Sequence, residues 1–171
     1  MKKLKKLLLL LLVCTTITTL TGCAEKNVKG ELPNIMEKVY EKMYKDVSED
    51  ERPGLVTENI LEKLEGETDE DVKNRVVYTI GTSDIEYKEI YESKPMIGSI
   101  AYSVVLVRME ENADIEAAKK AIEENVDPRK WICAEVEKDD VIVKSKGDLI
   151  ILIMVENETL REKVEEGFDN L

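Results

Sequence analysis

The sequence contains no histidine, and this absence excludes several kinds of chemistry. Ser–His–Asp triads and Cys–His pairs use an imidazole as general base, and His-based zinc sites use it as a ligand. Cysteine offers no substitute, because the chain has three cysteines and only Cys133 lies beyond residue 23. That residue has no second cysteine with which to form an internal disulfide. These absences predict no catalytic residue and no metal site.

Glycine is also scarce, with 8 in the chain, and the glycine motifs that cradle phosphates or dinucleotides are missing. The stretch from Gly81 to Ile85 begins like a nucleophile elbow but lacks the second glycine of that motif. Acidic stretches that start at Asp46 and Asp69 lack later ligands of a calcium loop. A glycosidase pair of carboxylates cannot be singled out among 37 acidic residues. The sequence therefore predicts no bound cofactor.

Positive charge is in deficit, since 25 Lys and Arg stand against 37 Asp and Glu, for a formal net charge of −12. The first 22 residues hold four of the basic residues and none of the acidic ones, so the remaining chain carries −16. A nucleic-acid partner needs a basic surface that displaces counterions, and this composition argues against one. The acidic balance favours solubility and is compatible with a basic partner.

The N-terminus has three successive zones. Residues 1–6 carry four lysines, residues 7–13 are an unbroken apolar run, and a Thr-rich stretch then ends in Leu20-Thr-Gly-Cys23. This is the layout of a secretory signal peptide. The apolar run is far shorter than the roughly 20 residues of a spanning helix, although extension to Leu20 leaves an uncleaved anchor as an alternative.

The four residues Leu20 to Cys23 resemble the lipobox of bacterial lipoproteins: Leu, a small residue, Gly and Cys. The resemblance implies that residues 1–22 are a signal peptide, cut between Gly22 and Cys23, and that Cys23 carries a covalent diacylglyceryl group. Two acyl chains anchor a protein stably, whereas one chain is marginal. We therefore expect the protein on the cell membrane, facing outside the cytoplasm, with residues 23–32 as a lipidated tether.

The first half of the remaining chain predicts mainly helices. Apolar residues recur at helical spacing from Pro33 to residue 47, and Thr57 is a suitable cap for a second short helix that ends at Gly66. Residues 33–66 thus form a helical N-terminal part, followed by an acidic loop over residues 65–71. Residues 75–80 are rich in β-branched side chains and predict a strand, while residues 84–91 fit either a strand or a helix.

The second half predicts strands and helices in alternation. We expect a central strand over residues 97–109, a helix capped by Asn112 or Asp114, and a short helix from Pro128. A hairpin follows, with strands at 141–143 and 149–155 around the turn Lys144 to Asp148, and a last helix is capped by Asn157 or Thr159. Residues 33–171 then form one α+β domain: a two-layer sandwich with a small antiparallel or mixed sheet and helices on one face.

Residues 93–171 resemble a domain of unknown function found in lipoproteins of Gram-positive, clostridia-like bacteria. The most distinctive piece is Asp-Pro-Arg-Lys-Trp-Ile-Cys, residues 127–133. The resemblance implies a small secreted α+β domain behind a lipid anchor and offers no activity. Beside Trp131 and Ile132, Cys133 is expected to be buried, the alternative being a reactive thiol. The other aromatic residues are interpreted as core rather than as a ligand platform: Tyr40, Tyr44, Tyr87, Tyr91 and Tyr102.

The missing catalytic groups favour a non-enzymatic binding or assembly module held on the membrane by its lipid, with a cell-envelope protein as a possible partner. The alternative is a small solute-binding protein or a carboxylate-dependent accessory of a cell-envelope hydrolase. A deep pocket lined by carboxylates and Trp131 would favour the alternative, and a flat apolar or acidic patch would favour the binding module.

Overall fold

The computed structural model describes residues 27–171, so the predicted signal peptide, its cleavage site and Cys23 lie outside the described residues. Four α-helices and five strands follow one another in the described chain. The helices are α1 (Leu32–Asp46), α2 (Asp69–Ile80), α3 (Ile115–Asn125) and α4 (Glu158–Asp169). The strands are β1 (Leu55–Asn59), β2 (Tyr87–Pro95), β3 (Tyr102–Met109), β4 (Ile142–Lys146) and β5 (Leu149–Val155).

The five strands form one open antiparallel sheet in the order β1-β2-β3-β5-β4. The predicted C-terminal hairpin is confirmed, since β4 pairs with β5. Its turn is shorter than expected, because β4 extends to Lys146 and Lys144 lies in the strand opposite Ile151. β3 and β5 occupy the centre, where Val104 lies opposite Ile153 and Val105 opposite Leu152. The α+β sandwich with an antiparallel sheet, expected from the sequence, is the fold of this chain.

Helices cover both faces of this sheet, so the arrangement has one layer more than the two predicted. On one face, α1 and α4 pack over Val104, Leu106 and Ile151. On the other face, α2 and α3 pack over Val105 and Leu152. The physical reason is that β3 and β5 are apolar at consecutive positions, and successive residues of a strand point to opposite faces. Both faces must therefore be shielded from water.

Residues 75–80 belong to helix α2, and the strand predicted there is wrong. The Thr68 side chain accepts a hydrogen bond from the Asp71 backbone N–H, and the Asp71 side chain accepts one from the Thr68 backbone in return. This capping box and the acidic first turn stabilise the helix N-terminus, and Gly81 ends the helix in the left-handed conformation. Val76 and Ile80, four residues apart, are buried on one side.

Residues 55–59 form the edge strand β1, and the helix predicted to start at Thr57 is wrong. β1 pairs with β2 along its whole length, from Leu55 opposite Pro95 to Asn59 opposite Tyr91. No local sequence pattern predicts this pairing, because the residues that pair lie more than 30 positions apart. The N-terminal part is thus joined to the sheet by β1 and, through α1, packs against α4.

The remaining helix predictions are confirmed at three places and fail at one. α1 spans the predicted segment, and Asp114 and Asn157 cap α3 and α4 by accepting hydrogen bonds from backbone N–H groups three residues later. The short helix predicted at Pro128 is absent. The Pro128 carbonyl instead accepts a hydrogen bond from the Val136 N–H at 2.9 Å, which closes a loop over residues 127–136.

The crossing of α1 and α4 depends on Gly167, and this gives the first prediction. A Cβ atom at this position would lie 1.9 Å from the carbonyl oxygen of Val39. Ala normally stabilises a helix interior relative to Gly by about 0.5–1 kcal/mol. Here Gly167→Ala should instead lower the free energy of unfolding by about 1–3 kcal/mol, because the helices must move apart.

Urea unfolding followed by circular dichroism measures the change. Gly54→Ala is the matched control, since a Cβ there meets nothing within 4 Å. A stability for Gly167→Ala equal to or above that of the parent chain would contradict the described helix contact.

Candidate functional site

The two ends of strand β3 define two ends of the domain. β3 runs from Tyr102 to Met109, a length of about 23 Å at the usual rise per residue. The loop between β2 and β3 and the loop over residues 127–136 lie at the Tyr102 end. The N-terminal segment and the β4–β5 turn lie at the Met109 end, as their hydrogen bonds show.

The Met109 end holds the N-terminal segment through Arg108, and we call this the clamp end. The Arg108 guanidinium donates to the carbonyl oxygen of Val28 at 3.0 Å, to that of Gly30 at 2.8 Å and to the Asp148 carboxylate at 2.7 Å. Asp148 in turn accepts a hydrogen bond from the Val28 N–H at 3.2 Å. Arg108 thus joins the β4–β5 turn to the segment that precedes α1.

This contact shortens the tether expected over residues 23–32. Residues 28–30 are fixed to the domain by Arg108 and Asp148, and Leu32 is buried as the first residue of α1. Beside the clamp end, a groove of about 610 Å³ lies between α1 and α4. Its charged lining residues are three lysines and one glutamate: Lys38, Lys42, Lys45 and Glu41.

The Tyr102 end contains a buried polar cluster on the face covered by α2 and α3. Ser103 donates a hydrogen bond to the Glu92 carboxylate at 2.5 Å, and the Lys130 ammonium lies 3.2 Å from the same carboxylate and 3.3 Å from the Ser103 hydroxyl oxygen. The side chains of Lys130 and Glu92 are 4% and 3% exposed. The Lys130 side chain, which projects from the 127–136 loop, therefore fastens that loop to strands β2 and β3.

Aromatic rings complete the surroundings of the Lys130 ammonium. It lies 5.2 Å from the centre of the Tyr78 ring and 5.4 Å from that of the Trp131 ring, within the range of cation–π contacts. Burial lowers the pKa of Lys130 below its ordinary value, and the Glu92 carboxylate offsets part of this effect. The Tyr78 hydroxyl also donates to the Lys130 carbonyl at 3.3 Å, which ties the loop to α2.

Apolar side chains project into solvent at this same end. Met96 is 80% exposed and Ile97 65% exposed in the β2–β3 loop, and Ile132 is 76% exposed in the 127–136 loop. Ile100 is exposed to a lesser degree. We call these four residues, with the two loops that carry them, the apolar end. Folding does not require such exposure, and clustered exposed apolar residues mark binding surfaces.

The predicted burial of Cys133 is wrong, because the residue is exposed. Cys133 follows Ile132 in the loop and has a positive φ of 62°. The Lys130 contacts hold the start of this loop against the sheet, Ile132 and Cys133 are exposed, and Val136 returns to the core. The core interpretation is confirmed for Tyr40 and Tyr102, which are buried between α1 and the sheet, whereas Tyr44 is half exposed.

The buried cluster does not have the form of a catalytic site. A serine near a lysine is an arrangement found in some acyl-transfer enzymes. Here Ser103 is fully buried and its hydroxyl already donates to Glu92, so a substrate carbonyl has no access to it. Within residues 27–171, no group of three or more carboxylate or cysteine side chains is placed to hold a metal ion. The arrangement is suited to rigid support of an exposed surface.

No family model, curated protein or solved structure matches the chain. Among the helices of residues 27–171, none combines the length and apolar character needed to cross a membrane. Sequence reasoning missed the buried cluster, since Glu92, Ser103 and Lys130 are separated along the chain and share no motif.

The Lys130–Glu92 pair gives a second prediction. Lys130→Met removes the buried ammonium but leaves the Glu92 carboxylate, whose next cation is Lys94 at 3.5 Å. Removal of one partner of a buried ion pair costs about 3–5 kcal/mol, and we expect the lower end of that range because Lys94 remains. Chemical denaturation measures the loss.

The double variant Lys130→Met with Glu92→Gln should recover part of the loss, because it leaves no uncompensated charge. The matched control is Arg129→Met at an exposed neighbouring position, with an expected change within about 0.5 kcal/mol. Equal effects of Lys130→Met and Arg129→Met would show that the buried pair does not hold the loop.

The exposure of Cys133 gives a third prediction. In a chain of residues 24–171, Cys133 is the sole cysteine. A maleimide should label it in the native protein at a rate within about threefold of that in denaturant, since folding does not cover the thiol. Mass spectrometry gives the rate, and Cys133→Ser is the blank. Labelling that starts only after denaturant is added would contradict the described loop.

Proposed function

We propose that this chain is a lipid-anchored binding module that faces outside the cytoplasm. In this proposal residues 1–22 are a signal peptide, Cys23 carries the lipid, and the apolar end binds a partner. The observation that carries it is the opposition of the two ends: Arg108 fixes the segment after Cys23 at one end of β3, and the exposed apolar side chains lie at the other.

The length of chain between anchor and clamp supports this arrangement. Four residues separate Cys23 from Val28, so the five Cα–Cα steps of that segment span at most about 18 Å even when fully extended. With Val28 held by Asp148 and Arg108, the clamp end stays near the bilayer. When β3 stands along the membrane normal, the apolar end is raised by about another 23 Å. The surface is then available to other proteins of the cell envelope.

The solute-binding or hydrolase-accessory alternative has less support. It needs a deep pocket with several carboxylates and Trp131, whereas the α1–α4 groove has one carboxylate side chain, Glu41, and does not include Trp131. Trp131 instead packs against the core and faces the Lys130 ammonium. The resemblance of residues 93–171 to a lipoprotein domain of unknown function stays a prediction, and it agrees with the proposed location.

The anchor gives a fourth prediction. Cys23→Ala in the full-length chain should move the protein from the membrane fraction to the medium or stall it as a precursor, because the acceptor thiol is lost. Fractionation of the producing cells and intact-mass analysis measure both outcomes. The control is Cys133→Ala, which removes an exposed thiol outside the lipobox and should leave the protein on the membrane.

Intact mass also tests the chemistry directly. The wild-type protein should begin at residue 23 and carry the mass of the attached lipid on that residue. A membrane-bound protein that begins elsewhere, or that has an unmodified Cys23, would contradict the proposed anchor.

A further inference from the structure

We propose that the apolar end docks into a different protein of the cell envelope, one that offers an apolar pocket with Lys and Arg at its rim. This inference rests on the proposed function and adds the chemistry of the partner. It starts from Met96, Ile97 and Ile132, three large apolar side chains that are at least 65% exposed on two loops at one end of the sheet.

The two loops are held in place before any partner binds. The 127–136 loop is fastened by the Lys130 contacts to Glu92 and Ser103, and the Pro128 carbonyl closes it onto Val136. The β2–β3 loop is short, and the two strands that it joins are paired with each other. A preformed surface loses little conformational entropy on binding. Burial of the exposed apolar area at this end can therefore contribute to the binding free energy.

The bilayer that holds the anchor is a poor occupant for this end. The clamp keeps the anchored segment about 23 Å away, at the opposite end of β3. The domain could reach the bilayer only by lying flat. The carboxylates of this end would then approach the headgroups, since Asp50, Glu51 and Glu156 line the same pocket as Ile100, with Arg52 as the one cation of that lining. An anionic headgroup layer repels such a rim.

A second copy of the chain is also disfavoured. A symmetric contact through two apolar ends would place the two clamp ends at opposite extremes of the dimer. The two lipids could not then both enter one flat bilayer, because each segment from Cys23 to Val28 spans at most about 18 Å. The same acidic rim would meet itself across the two-fold axis, and like charges in juxtaposition oppose association.

The charges around the apolar end indicate the partner's chemistry. Asp50, Glu51 and Glu156 lie on the α1–α4 side, and Asp127 and Glu135 are exposed on the loop of the other side. Two arginines oppose them: Arg129, which is exposed, and Arg52, which lies over the Tyr44 ring. A third, Arg161, donates to the Val155 and Glu156 carbonyls and is already paired with the Asp140 carboxylate. Lys94 is already paired with Glu58 and Glu92. An apolar centre with a net acidic rim fits a pocket with a basic border.

Site-specific photo-crosslinking on intact cells tests the proposal with the full-length chain. A benzophenone amino acid replaces Ile97 in one variant and Ile132 in another. Leu64 is the matched control, because it is 62% exposed but lies beyond the other end of β1, away from the apolar end. We expect the same protein to be crosslinked at positions 97 and 132 and not at 64.

Two second-site changes test the assigned chemistry. Met96→Asp should lower the crosslink yield at position 132 by at least about tenfold, as expected for a central apolar contact. Glu156→Lys should lower it by a smaller factor and weaken its dependence on salt, since it removes rim charge. Both positions are exposed, and circular dichroism of each purified variant checks that the fold is kept.

Any one of four results would overturn the proposal: crosslinks to a second copy of this chain, crosslinks to lipid alone, equal yields at positions 64 and 97, or no crosslink at any position. Membrane fractionation of the same cells reports the anchor separately. Protein that stays on the membrane without a position-specific crosslink contradicts the docking surface and not the anchor. Released protein that keeps the crosslink contradicts the anchor and not the docking surface.

Discussion

The constraint on which the fold depends is the double burial of strands β3 and β5. Val104 to Val107 and Leu149 to Val155 are completely shielded from water, with alternate side chains on opposite faces of the sheet. A pair of strands of this kind needs helices on both faces and a neighbouring strand along each edge. Helices α1 and α4 cover one face and α2 and α3 the other, while β2 pairs with β3 and β4 pairs with β5. The middle of the molecule is therefore closed, and the ends of the strands are the places where loops and polar groups collect.

The two polar exceptions within β3 mark those two ends. Ser103 lies one residue from its start and Arg108 one residue from its finish. Each takes part in holding a segment that the sheet alone would not fix: Arg108 holds the chain before α1, and Ser103 with Glu92 receives Lys130 from the 127–136 loop. Buried charges cost free energy of desolvation, so each is paired where it enters the core. One end of the domain is thereby tied to the N-terminal segment, and the other supports an exposed apolar surface.

Sequence patterns predicted the elements whose signals are local. The periodic stripe of α1, the caps Asp114 and Asn157 and the hairpin around Gly147 all need only a few neighbouring residues. They failed in two ways, because one local signal was overlooked and other elements are determined by contacts distant in sequence. Residues 75–80 have β-rich side chains, but the capping box at Thr68 makes them a helix, and that box was a readable signal. β1 and the Lys130–Glu92 pair depend on strands and loops distant in sequence, so no local pattern could contain them.

In the proposed arrangement the clamp end faces the membrane and the apolar end faces away from it. Energy transfer from a dye on the lipidated protein to acceptors in a vesicle bilayer tests this orientation most directly. The chain carries Cys133→Ser and a dye at either Glu111→Cys, beside the clamp end, or Ile97→Cys, in the apolar end. We expect clearly stronger transfer from position 111 than from position 97. Equal transfer from both positions, or stronger transfer from position 97, would contradict this arrangement.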